Sequence, residues 1–581
     1  MKSILLGNEA IARGAWEAGV RVATAYPGTP STEITETLAK YPEVYAEWSP
    51  NEKVALEVAA GASAAGVRAM CSMKHVGLNV AADPLFTLSY TGVGGGLVIV
   101  VADDPGMHSS QNEQDSRYYA LAAHIPMLEP SDSAEARAFM MKAFTLSEER
   151  DTPVLVRMTT RVAHARSLVT TGPRQEAAVI PYARNIGKFV MMPAMARRRH
   201  VVVEERMRAL TDDANAMEDM NPILRRGSEV GVITSGVAYQ YVREALPEAS
   251  ILKLGMVWPL PIERIRQFAG TVDALYVVEE LEPFLETHLK AAGLRVRGKE
   301  LFSVQGEYSA RKIAAAIGGA APEARPAASD LPARPPALCP GCPHRGIFYV
   351  LSKLKVTVTG DIGCYTLGAL PPLSAMDTCV CMGASIGMAL GMEKALGPES
   401  ARKIAAVIGD STFIHSGITG LIDTVYSGGR TTVIILDNAT TGMTGHQQHP
   451  ATGLNIYGKQ APRVDLEALC RAAGATDVAV VDPYDLRAAE AAIRRALEHD
   501  GPSVVIARRP CALLDRKSRG TPASVDAARC VGCRRCIGLG CPAISMRDGR
   551  AAIDPALCTG CGLCAGVCPA DAIGGGNGSC G

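Results

Sequence analysis

Eight of the seventeen cysteines in this 581-residue chain lie near its end, in two runs with nearly the same spacing. Each run places three cysteines at intervals of three residues and closes with a fourth cysteine that is followed by proline. Three closely spaced thiolates can surround one [4Fe–4S] cluster, while the more remote fourth cysteine crosses to the other cluster. The two runs therefore predict a small domain built around two clusters, with its cysteines as reduced thiolates rather than disulfides.

The crossing rule divides these cysteines into two sets of ligands. The sets are Cys530, Cys533, Cys536 and Cys568 for one cluster, and Cys558, Cys561, Cys564 and Cys541 for the other. A zinc site, the alternative, would favour pairs of cysteines over triplets closed by Cys-Pro. The first run has one extra residue before Cys541, so the role of this cysteine requires a bulge at 537–540. Cys580, in the glycine-rich tail, is interpreted as a spare thiol.

Length and charge limit what the rest of the chain can be. A chain of 581 residues is too long for one hydrophobic core, so we expect three or four domains. Lysine plus arginine and aspartate plus glutamate number 59 each, which leaves no global basic field for binding nucleic acid. The apolar run at 96–102 has only the length of a strand, too short for a membrane span. With no signal-peptide pattern at the N-terminus, we expect a cytoplasmic protein.

Alternating helix and strand patterns favour an α/β class. The apolar residues are mostly Ala, Val, Leu and Ile with few aromatics, as in buried parallel strands packed between helices. In the first part of the chain, strand patterns at 22–26, 96–102 and 153–158 alternate with helical patterns at 52–65 and 134–146. This region has the size of a complete domain.

Two oxygen-bearing side chains follow consecutive strands predicted later in the chain. The strand at 403–408 leads into Asp410, and the strand at 431–436 leads into Asn438. The carboxyl ends of parallel strands meet at one edge of a sheet, where such sheets bind ligands. Mg²⁺ prefers hard oxygen ligands, which Asp410, Asn438 and the backbone carbonyl of Thr440 could supply.

The residues around Asp410 also suit a diphosphate. Gly409 would let the backbone approach a phosphate, and the amides of Ser411 and Thr412 would face it at the start of a helix. Either pair of residues alone is better explained as an ordinary turn after a strand. Together, one βαβ crossover apart, they resemble the thiamine diphosphate signature. A nicotinamide cofactor has little support, because no GxGxxG loop occurs in a useful context.

The N-terminal region resembles the pyrimidine-binding domain of the 2-oxoacid:ferredoxin oxidoreductases. Residues 26–31, Tyr-Pro-Gly-Thr-Pro-Ser, follow a predicted strand, and Glu52 opens a helix of small residues. By this resemblance Glu52 takes the place of the carboxylate that hydrogen-bonds the aminopyrimidine ring of the cofactor and promotes formation of its reactive ylid. The alternative is a solvated glutamate that is favoured by the helix dipole.

Two further motifs narrow the resemblance to the large, α, subunits of indolepyruvate ferredoxin oxidoreductase. They are Ser-Met-Lys-His-Val-Gly-Leu-Asn at 72–79 and Thr-Gly-Met-Thr-Gly-His-Gln at 441–447, and the similarity extends to the terminal cysteines. The resemblance implies that Thr29, Lys74 and His75 lie near the 2-oxoacid and that Met443 belongs to the cofactor site. Each of the first three could equally be a local hydrogen-bonding or surface residue.

The fold that this resemblance implies is α/β, with transketolase-like, doubly wound thiamine diphosphate-binding domains and a small bacterial-type ferredoxin domain. In chain order we expect a pyrimidine-binding domain at 1–165, an irregular linker or covering segment at 166–226, a transketolase C-terminal-like α/β domain at 227–317, an Ala- and Pro-rich linker at 318–337, a diphosphate-binding domain at 338–515 and a 2×[4Fe–4S] ferredoxin domain at 521–575. The ferredoxin domain is expected to be tethered by a flexible segment.

Four more cysteines suggest a third cluster, beside the cofactor. Cys339 and Cys342 open the predicted diphosphate-binding domain, Cys364 follows Gly360-Asp361-Ile362-Gly363, and Cys511 follows the last strand. All four lie at loops or strand ends, on the ligand-binding side of the sheet, and they match the proximal-cluster cysteines of other 2-oxoacid:ferredoxin oxidoreductases. The alternative is that Cys-Pro-Gly-Cys is a turn with buried thiols.

The implied reaction is oxidative decarboxylation of an aryl-pyruvate, with indolepyruvate as the leading substrate. Coenzyme A would accept the acyl group, and electrons would leave through the clusters to a soluble ferredoxin. A smaller β subunit would provide the γ-type domain that is not recognisable here, in an α2β2 assembly. Phenylpyruvate or 4-hydroxyphenylpyruvate would fit the same chemistry. A non-oxidative thiamine decarboxylase would have no use for clusters, and a pure electron carrier would need no Asp410 and Asn438.

Overall fold

The structure, a computed structural model, describes residues 1–318, 331, 335–517 and 519–575. It forms two compact units, Met1–Ala327 and Ala328–Gly581. Most of the linker predicted at 318–337, and Cys580, lie outside the described residues. In the part of the chain that the structure describes, no helix has the length and apolar character needed to cross a membrane.

A seven-stranded sheet forms the centre of the first unit. In spatial order its strands are Met256–Trp258, Met127–Leu128, Val154–Thr159, Leu97–Asp103, Ala69–Lys74, Val22–Ala25 and Tyr45–Trp48. All are parallel to their neighbours except Met256–Trp258, which pairs antiparallel at one edge. The central strands are buried along their length, because helices cover both faces of the sheet.

The helices of this layer connect its strands and place polar residues at one edge of the sheet. They are Gly7–Glu17, Thr32–Leu38, Glu52–Ala64, His75–Val80, Ala82–Thr91, Arg117–Ala123, Ser133–Arg150 and Thr160–His164. Helix Glu52–Ala64 begins where the side chain of Asn51 accepts a hydrogen bond from the Val54 amide, which satisfies one of its free N–H groups. Outside the main sheet, Lys2–Leu6 pairs antiparallel with Arg166–Thr170.

The segment at 166–226 is more regular than the sequence indicated. It contains a 24-residue helix, Pro193–Ala216, in addition to the short helix Ile186–Phe189. The long helix buries only Val203, Arg206, Leu210 and Ala214. This narrow stripe includes a charged residue, whose guanidinium donates to the Ser89 carbonyl. The apolar periodicity is therefore weak, and the interpretation of the segment as irregular was wrong.

A second, four-stranded sheet completes the first unit. Its order is Ala274–Val278, Val230–Ser235, Ser250–Leu254 and Ile223–Leu224, with the last strand antiparallel. The helices Ala238–Ala245, Ile262–Ala269, Phe284–Ala291 and Ala310–Ile317 pack with this sheet.

The second unit contains a six-stranded, fully parallel sheet. In spatial order its strands are Thr378–Cys379, Thr357–Gly360, Ile404–Gly409, Thr432–Asp437, Ser503–Arg508 and Asp477–Val481. Its helices are His344–Leu354, Ala384–Leu396, Ile418–Tyr426, Leu466–Ala472 and Leu486–Glu498, and a helical turn, Asp410–Thr412, runs through the π-helical Phe413–Gly417 into Ile418–Tyr426. Asp410 and Asn438 follow two adjacent strands of this sheet.

The C-terminal cysteine module is a small two-layer structure in the same unit. Ser524–Val525 pairs antiparallel with Ile573–Gly574, and Ile544–Arg547 forms a hairpin with Arg550–Ile553. A short helix, Leu563–Gly566, and a 3₁₀ turn, Ile537–Leu539, complete it. Its small core includes Cys536 and Cys564.

Candidate functional site

Three oxygen-bearing groups meet at the carboxyl edge of the six-stranded sheet. One polar atom of the Asn438 side chain lies 2.9 Å from the Thr440 carbonyl oxygen and 3.3 Å from Oδ1 of Asp410. If this atom is nitrogen, it donates to both oxygens; if it is oxygen, three oxygens face one another and a cation is needed among them. Adjacent ligands of an octahedral Mg²⁺ lie about 2.9 Å apart, because its bonds are about 2.1 Å long. The spacing therefore fits Mg²⁺.

A buried histidine favours the orientation that suits the cation. In that orientation Nδ2 of Asn438 faces Nε2 of His344 at a long 3.5 Å. Burial lowers the pKa of His344 to about 4, and the negative charge of Asp410 only partly opposes this. A neutral His344 can accept from the amide, which leaves the Asn438 oxygen directed at Asp410 and Thr440. His344 was not singled out from the sequence.

The Asp410 carboxylate is held from both sides. Its Oδ1 accepts from the Ser411 amide and its Oδ2 from the Ala439 amide, both at 2.8 Å. Nε2 of His449 lies 3.2 Å from the same Oδ2, and Nδ1 of His449 accepts from the Ala451 amide. Sequence reasoning missed His449 because this contact is made across the loop 441–447.

The residues predicted to cradle the diphosphate lie beside Asp410. A side chain at Gly409 would come within 2.7 Å of the Tyr365 ring, so only glycine fits there. Ser411 and Thr412 are buried in the helical turn, where the Ser411 hydroxyl accepts from the Thr441 hydroxyl at 3.1 Å. Met443 lies on the adjoining loop with 54 % of its surface exposed. The structure thus brings the whole predicted set to one edge of the sheet.

In the first unit, Glu52 is buried and not solvated. It is 4 % exposed, which excludes the solvated alternative. Gly77 packs directly on its carboxylate, where an added Cβ would come within 2.6 Å of Oε1. The glycine of the motif at 72–79 is therefore required by the position of Glu52.

The three predicted substrate residues contact a loop, 104–116, that sequence reasoning missed. Nζ of Lys74 donates to the Ser109 carbonyl at 2.8 Å, and the Ser109 hydroxyl donates to the Thr29 carbonyl at 3.2 Å. Nε2 of His75 lies 3.2 Å from the Asn112 carbonyl, while its buried Nδ1 has no hydrogen-bond partner in the described residues. Burial lowers the pKa of both Lys74 and His75.

Asp104 anchors this loop. Its carboxylate accepts from the Ser109 amide, the Ser110 hydroxyl and the Thr160 hydroxyl at 2.7 to 2.8 Å. Asp104 follows the central strand Leu97–Asp103. The rule that located Asp410, a polar residue at the carboxyl end of a buried strand, could have located Asp104 as well.

The terminal cysteines form two groups in the structure. Cys530, Cys533, Cys536 and Cys568, the outer set, line one cavity. Cys541, Cys558, Cys561 and Cys564, the inner set, line another. The extra residue before Cys541 is accommodated by the 3₁₀ turn Ile537–Leu539 and by Gly540, whose φ is 65°. Within residues 1–318, 335–517 and 519–575, no three His, Cys, Asp or Glu side chains converge as the ligands of a single ion do.

A third group of thiols borders the oxygen triad, the three oxygen-bearing groups of Asp410, Asn438 and Thr440. This proximal set is Cys339, Cys342, Cys364 and Cys511. The pKa of Cys342 is raised to about 12, mainly by burial and in part by the neighbouring Cys339 and Cys364. Burial likewise raises the pKa of Cys364 to about 11, with Cys511 and Cys339 adding to the effect. The Cys511 amide donates to the Asn438 carbonyl at 3.0 Å. This backbone hydrogen bond joins Asn438, a predicted metal ligand, to the proximal set.

The cysteine module packs directly on the proximal set, which contradicts the expected flexible tether. A side chain at Gly341 would come within 2.2 Å of Oγ1 of Thr559, between two cysteines of the inner set. Arg345, 2 % exposed, donates to the Leu539 carbonyl at 2.7 Å and to the Cys339 carbonyl at 3.1 Å. The Tyr484 hydroxyl donates to the Gly341 carbonyl. The inner set therefore lies against the proximal set.

Comparison with known proteins identifies the family of the chain. The family model for pyruvate flavodoxin/ferredoxin oxidoreductase, thiamine diphosphate-binding, matches residues 13–228. The C-terminal thiamine pyrophosphate-binding domain matches 361–507, and the 4Fe-4S binding domain matches 551–574. The indolepyruvate oxidoreductase subunit IorA of Archaeoglobus fulgidus is 43 % identical, over 98 % of this chain and 97 % of the relative. The chain belongs to the IorA family of 2-oxoacid:ferredoxin oxidoreductases.

Other IorA relatives are equally similar. IorA of Methanothermobacter marburgensis is 44 % identical over 98 % of this chain and 96 % of its own length. Among solved structures, a 2-oxoglutarate:ferredoxin oxidoreductase from Magnetococcus marinus, with 2-oxoglutarate, coenzyme A and succinyl-CoA bound, matches 55 % of this chain and 65 % of its own with a TM-score of 0.47 and 18 % identity.

IorA membership confirms several predictions from the sequence. The fold class and the thiamine diphosphate-dependent oxidoreductase class are confirmed, as is the presence of thiamine diphosphate-binding domains and a 4Fe-4S domain. The individual ligands and catalytic roles stay predictions. The 4Fe-4S model covers only the second cysteine run, so the first run, with its unusual spacing, stands on the geometry described above.

Proposed function

We propose that this chain is the large, catalytic subunit of an enzyme that oxidatively decarboxylates aryl-pyruvates, with indolepyruvate as the leading substrate. Coenzyme A takes the acyl group, which gives the arylacetyl-CoA and carbon dioxide, and two electrons pass to ferredoxin. The observation that carries the proposal is the hydrogen bond between the Cys511 amide and the Asn438 carbonyl. It joins a proposed cofactor ligand to the four thiols that would hold an electron-accepting cluster, which a non-oxidative decarboxylase would not need.

The residues present fit thiamine diphosphate with Mg²⁺. Asp410, Asn438 and the Thr440 carbonyl would hold the metal, because with the amide oxygen of Asn438 directed at the other two groups the distances of 2.9 and 3.3 Å are close to those between adjacent Mg²⁺ ligands. Gly409, Ser411 and Thr412 would lie against the diphosphate. When bound, thiamine diphosphate stabilises the carbanion that decarboxylation requires.

The residues of the first unit would serve the reacting end of the cofactor. The buried Glu52 carboxylate would hydrogen-bond the aminopyrimidine. Lys74 would attract the carboxylate of the 2-oxoacid, and Thr29 would position it. His75, whose pKa is lowered by burial, would act as a neutral hydrogen-bonding group.

Three [4Fe–4S] clusters would carry the electrons. The proximal, inner and outer sets each offer four thiols, the number that such a cluster takes. The packing of Gly341 on Thr559 supports passage from the proximal to the inner set.

The working enzyme is proposed to be a cytoplasmic α2β2 assembly with a smaller β subunit. The support is that the IorA relatives are themselves named as subunits. No part in nucleic-acid or membrane binding is proposed.

Anaerobic assays test the proposal. The chain, co-purified with its β subunit, is given coenzyme A, ferredoxin and a panel of 2-oxoacids. We expect the highest kcat/KM with indolepyruvate, and lower values with phenylpyruvate and 4-hydroxyphenylpyruvate. Release of carbon dioxide without ferredoxin reduction would favour the non-oxidative alternative, and a preference for pyruvate or 2-oxoglutarate would overturn the substrate assignment.

A further inference from the structure

Five arginines surround the outer set of cysteines. This group, the arginine surface, consists of Arg529, Arg534, Arg535, Arg547 and Arg550, all exposed. Arg534 and Arg535 directly follow Cys533 and line the cavity of the outer set. They are brought together in a chain whose overall charge is zero.

The hairpin brings the remaining positive charge to the same place. Arg547 and Arg550 are paired across the hairpin Ile544–Arg547 and Arg550–Ile553. The turn of this hairpin packs on the cysteine loop, since a Cβ at Gly532 would come within 2.5 Å of the Gly549 carbonyl oxygen. Arg547 and Arg550 therefore lie beside Cys530 and Cys533.

Little within the molecule neutralises these charges. In the described residues, Arg529 is the one member that has a carboxylate within 4.0 Å, Asp571 at the limit of that distance. Asp548 in the hairpin turn is the one acidic residue between Arg547 and Arg550. The Asp526 carboxylate accepts hydrogen bonds from the backbone amides of Ala528 and Arg529, within its own turn.

The same surface exposes the outer set. Cys533 is exposed, and its neighbour Val531 is 71 % exposed. The inner set, in contrast, faces the proximal set through Gly341 and Arg345. Electron tunnelling is fast only over short gaps, so an external protein that contacts the exposed Cys533 can reach the outer set more closely than the inner set, which has no exposed cysteine.

We propose that the arginine surface is the docking site for a small acidic iron–sulfur electron carrier. This inference rests on the proposed function, and it adds the place and the charge of the acceptor. One electron leaves the reduced outer cluster and reduces the carrier's cluster, without proton transfer, so each 2-oxoacid oxidised requires two dockings of a one-electron carrier. The exposed Val531 gives the contact an apolar centre within a charged rim, as transient interfaces commonly have.

Charge reversal tests the docking site. The double variant Arg547→Glu/Arg550→Glu, the hairpin variant, changes the hairpin and leaves both cysteine runs intact. The single variant Arg535→Glu changes the loop that carries Cys533 and Cys536. The matched control is Arg208→Glu/Arg311→Glu, which reverses two exposed arginines of the first unit. Each holoenzyme, with its β subunit, is first checked for iron content, and is then assayed with an acidic two-cluster ferredoxin and with a small uncharged dye as acceptors.

We expect the hairpin variant to raise the KM for ferredoxin about tenfold or more at low ionic strength and to weaken the dependence of the rate on salt, because steering by opposite charge is lost. Dye reduction should be unchanged, and the control should match the wild type in every assay. A wild-type KM for ferredoxin in the hairpin variant, or a wild-type rate that does not respond to salt, would overturn the proposal.

Direct binding separates this inference from the proposed function. Binding of oxidised ferredoxin to immobilised holoenzyme needs no turnover, and it should weaken in the hairpin variant and not in the control. If no 2-oxoacid supported turnover, the proposed function would fail while this measurement still decided the docking site. Equal binding of short duplex DNA, with the same loss in the variant, would overturn the docking site as selective for a protein carrier.

Discussion

At the scale of single residues, Asp410 is the position on which cofactor binding depends most. We expect Asp410→Ala to abolish binding of thiamine diphosphate and Mg²⁺, because it removes the one charged member of the oxygen triad. Bound cofactor can be measured by calorimetry and by thiochrome fluorescence. The control is Asp423→Ala, an exposed aspartate of the helix Ile418–Tyr426. Stoichiometric cofactor in the Asp410 variant would show that the metal site lies elsewhere.

The contribution of Glu52 to turnover can be separated from cofactor binding. We expect Glu52→Gln to retain the cofactor but to lower kcat by about 100-fold or more, the usual contribution of a positioned acid–base group. Glu57→Gln, an exposed glutamate on the same helix, should behave as the wild type. Near-normal turnover in the Glu52 variant would leave this carboxylate with a structural role in packing against Gly77.

Strand patterns in the sequence located Asp410 and Asn438 but were not applied to Asp104, which also follows a strand, and residues that come from loops were missed. Asp410 and Asn438 could be found because each ends a continuous apolar run, so their meeting follows from sheet geometry. His449 and Ser109 reach their partners only through the path of a loop, which no local pattern specifies. Lys74 was found by resemblance, although its Ser109 contact was not.

At the scale of elements, two glycines on neighbouring helices provide a matched pair. A Cβ at Gly77 would meet the Glu52 carboxylate, whereas a Cβ at Gly61 would meet nothing within 4 Å. We therefore expect Gly77→Ala to displace Glu52 and lower kcat strongly. Gly61→Ala should retain activity and stabilise helix Glu52–Ala64 by up to about 1 kcal/mol, since alanine is the better helix former. Activity and thermal unfolding of both variants provide the test, and full activity of the Gly77 variant would contradict it.

The elements themselves were largely predictable where burial is complete. The strands predicted at 403–408 and 431–436 are found at Ile404–Gly409 and Thr432–Asp437. Buried strands are continuous apolar runs, and their ends are marked by glycine and aspartate. Helix Pro193–Ala216 was missed because a surface helix that buries four residues, one of them an arginine, leaves no broad apolar stripe.

At the scale of the whole molecule, the number of clusters can be counted. A chain that ends near residue 520 retains the proximal set and lacks the inner and outer sets. Prepared anaerobically, it should contain about four irons and the full-length chain about twelve, if three clusters are normal. It should still bind thiamine diphosphate and should fail to reduce ferredoxin.

Cys364→Ser in the truncated chain is the control and should lose the irons while the fold is kept. A folded, cofactor-binding truncated chain without iron would reject the proximal cluster. Undiminished ferredoxin reduction by that chain would show that electrons leave by another route.

Composition indicated separate domains but not how they pack. The sequence around residues 515–521 looks like a tether, yet the cysteine module is fixed by Arg345 and Gly341, which lie far away along the chain. A buried arginine that donates to backbone carbonyls has no sequence signature that distinguishes it from a surface arginine. The number of modules was therefore predictable, while their rigid attachment was not.

The loop of Cys339 and Cys342, of which the first cysteine is exposed and the second buried, has a consequence for how the protein matures. Cys342 is 8 % exposed, and the C-terminal module closes over its loop through Thr559 and Leu539. If the four proximal thiols hold a cluster, an iron donor that acts after that module has folded finds an open approach at Cys339 and none at Cys342. Insertion of iron before that module is made would leave both approaches open, so maturation in the direction of translation would fill the metal centre nearest the substrate first.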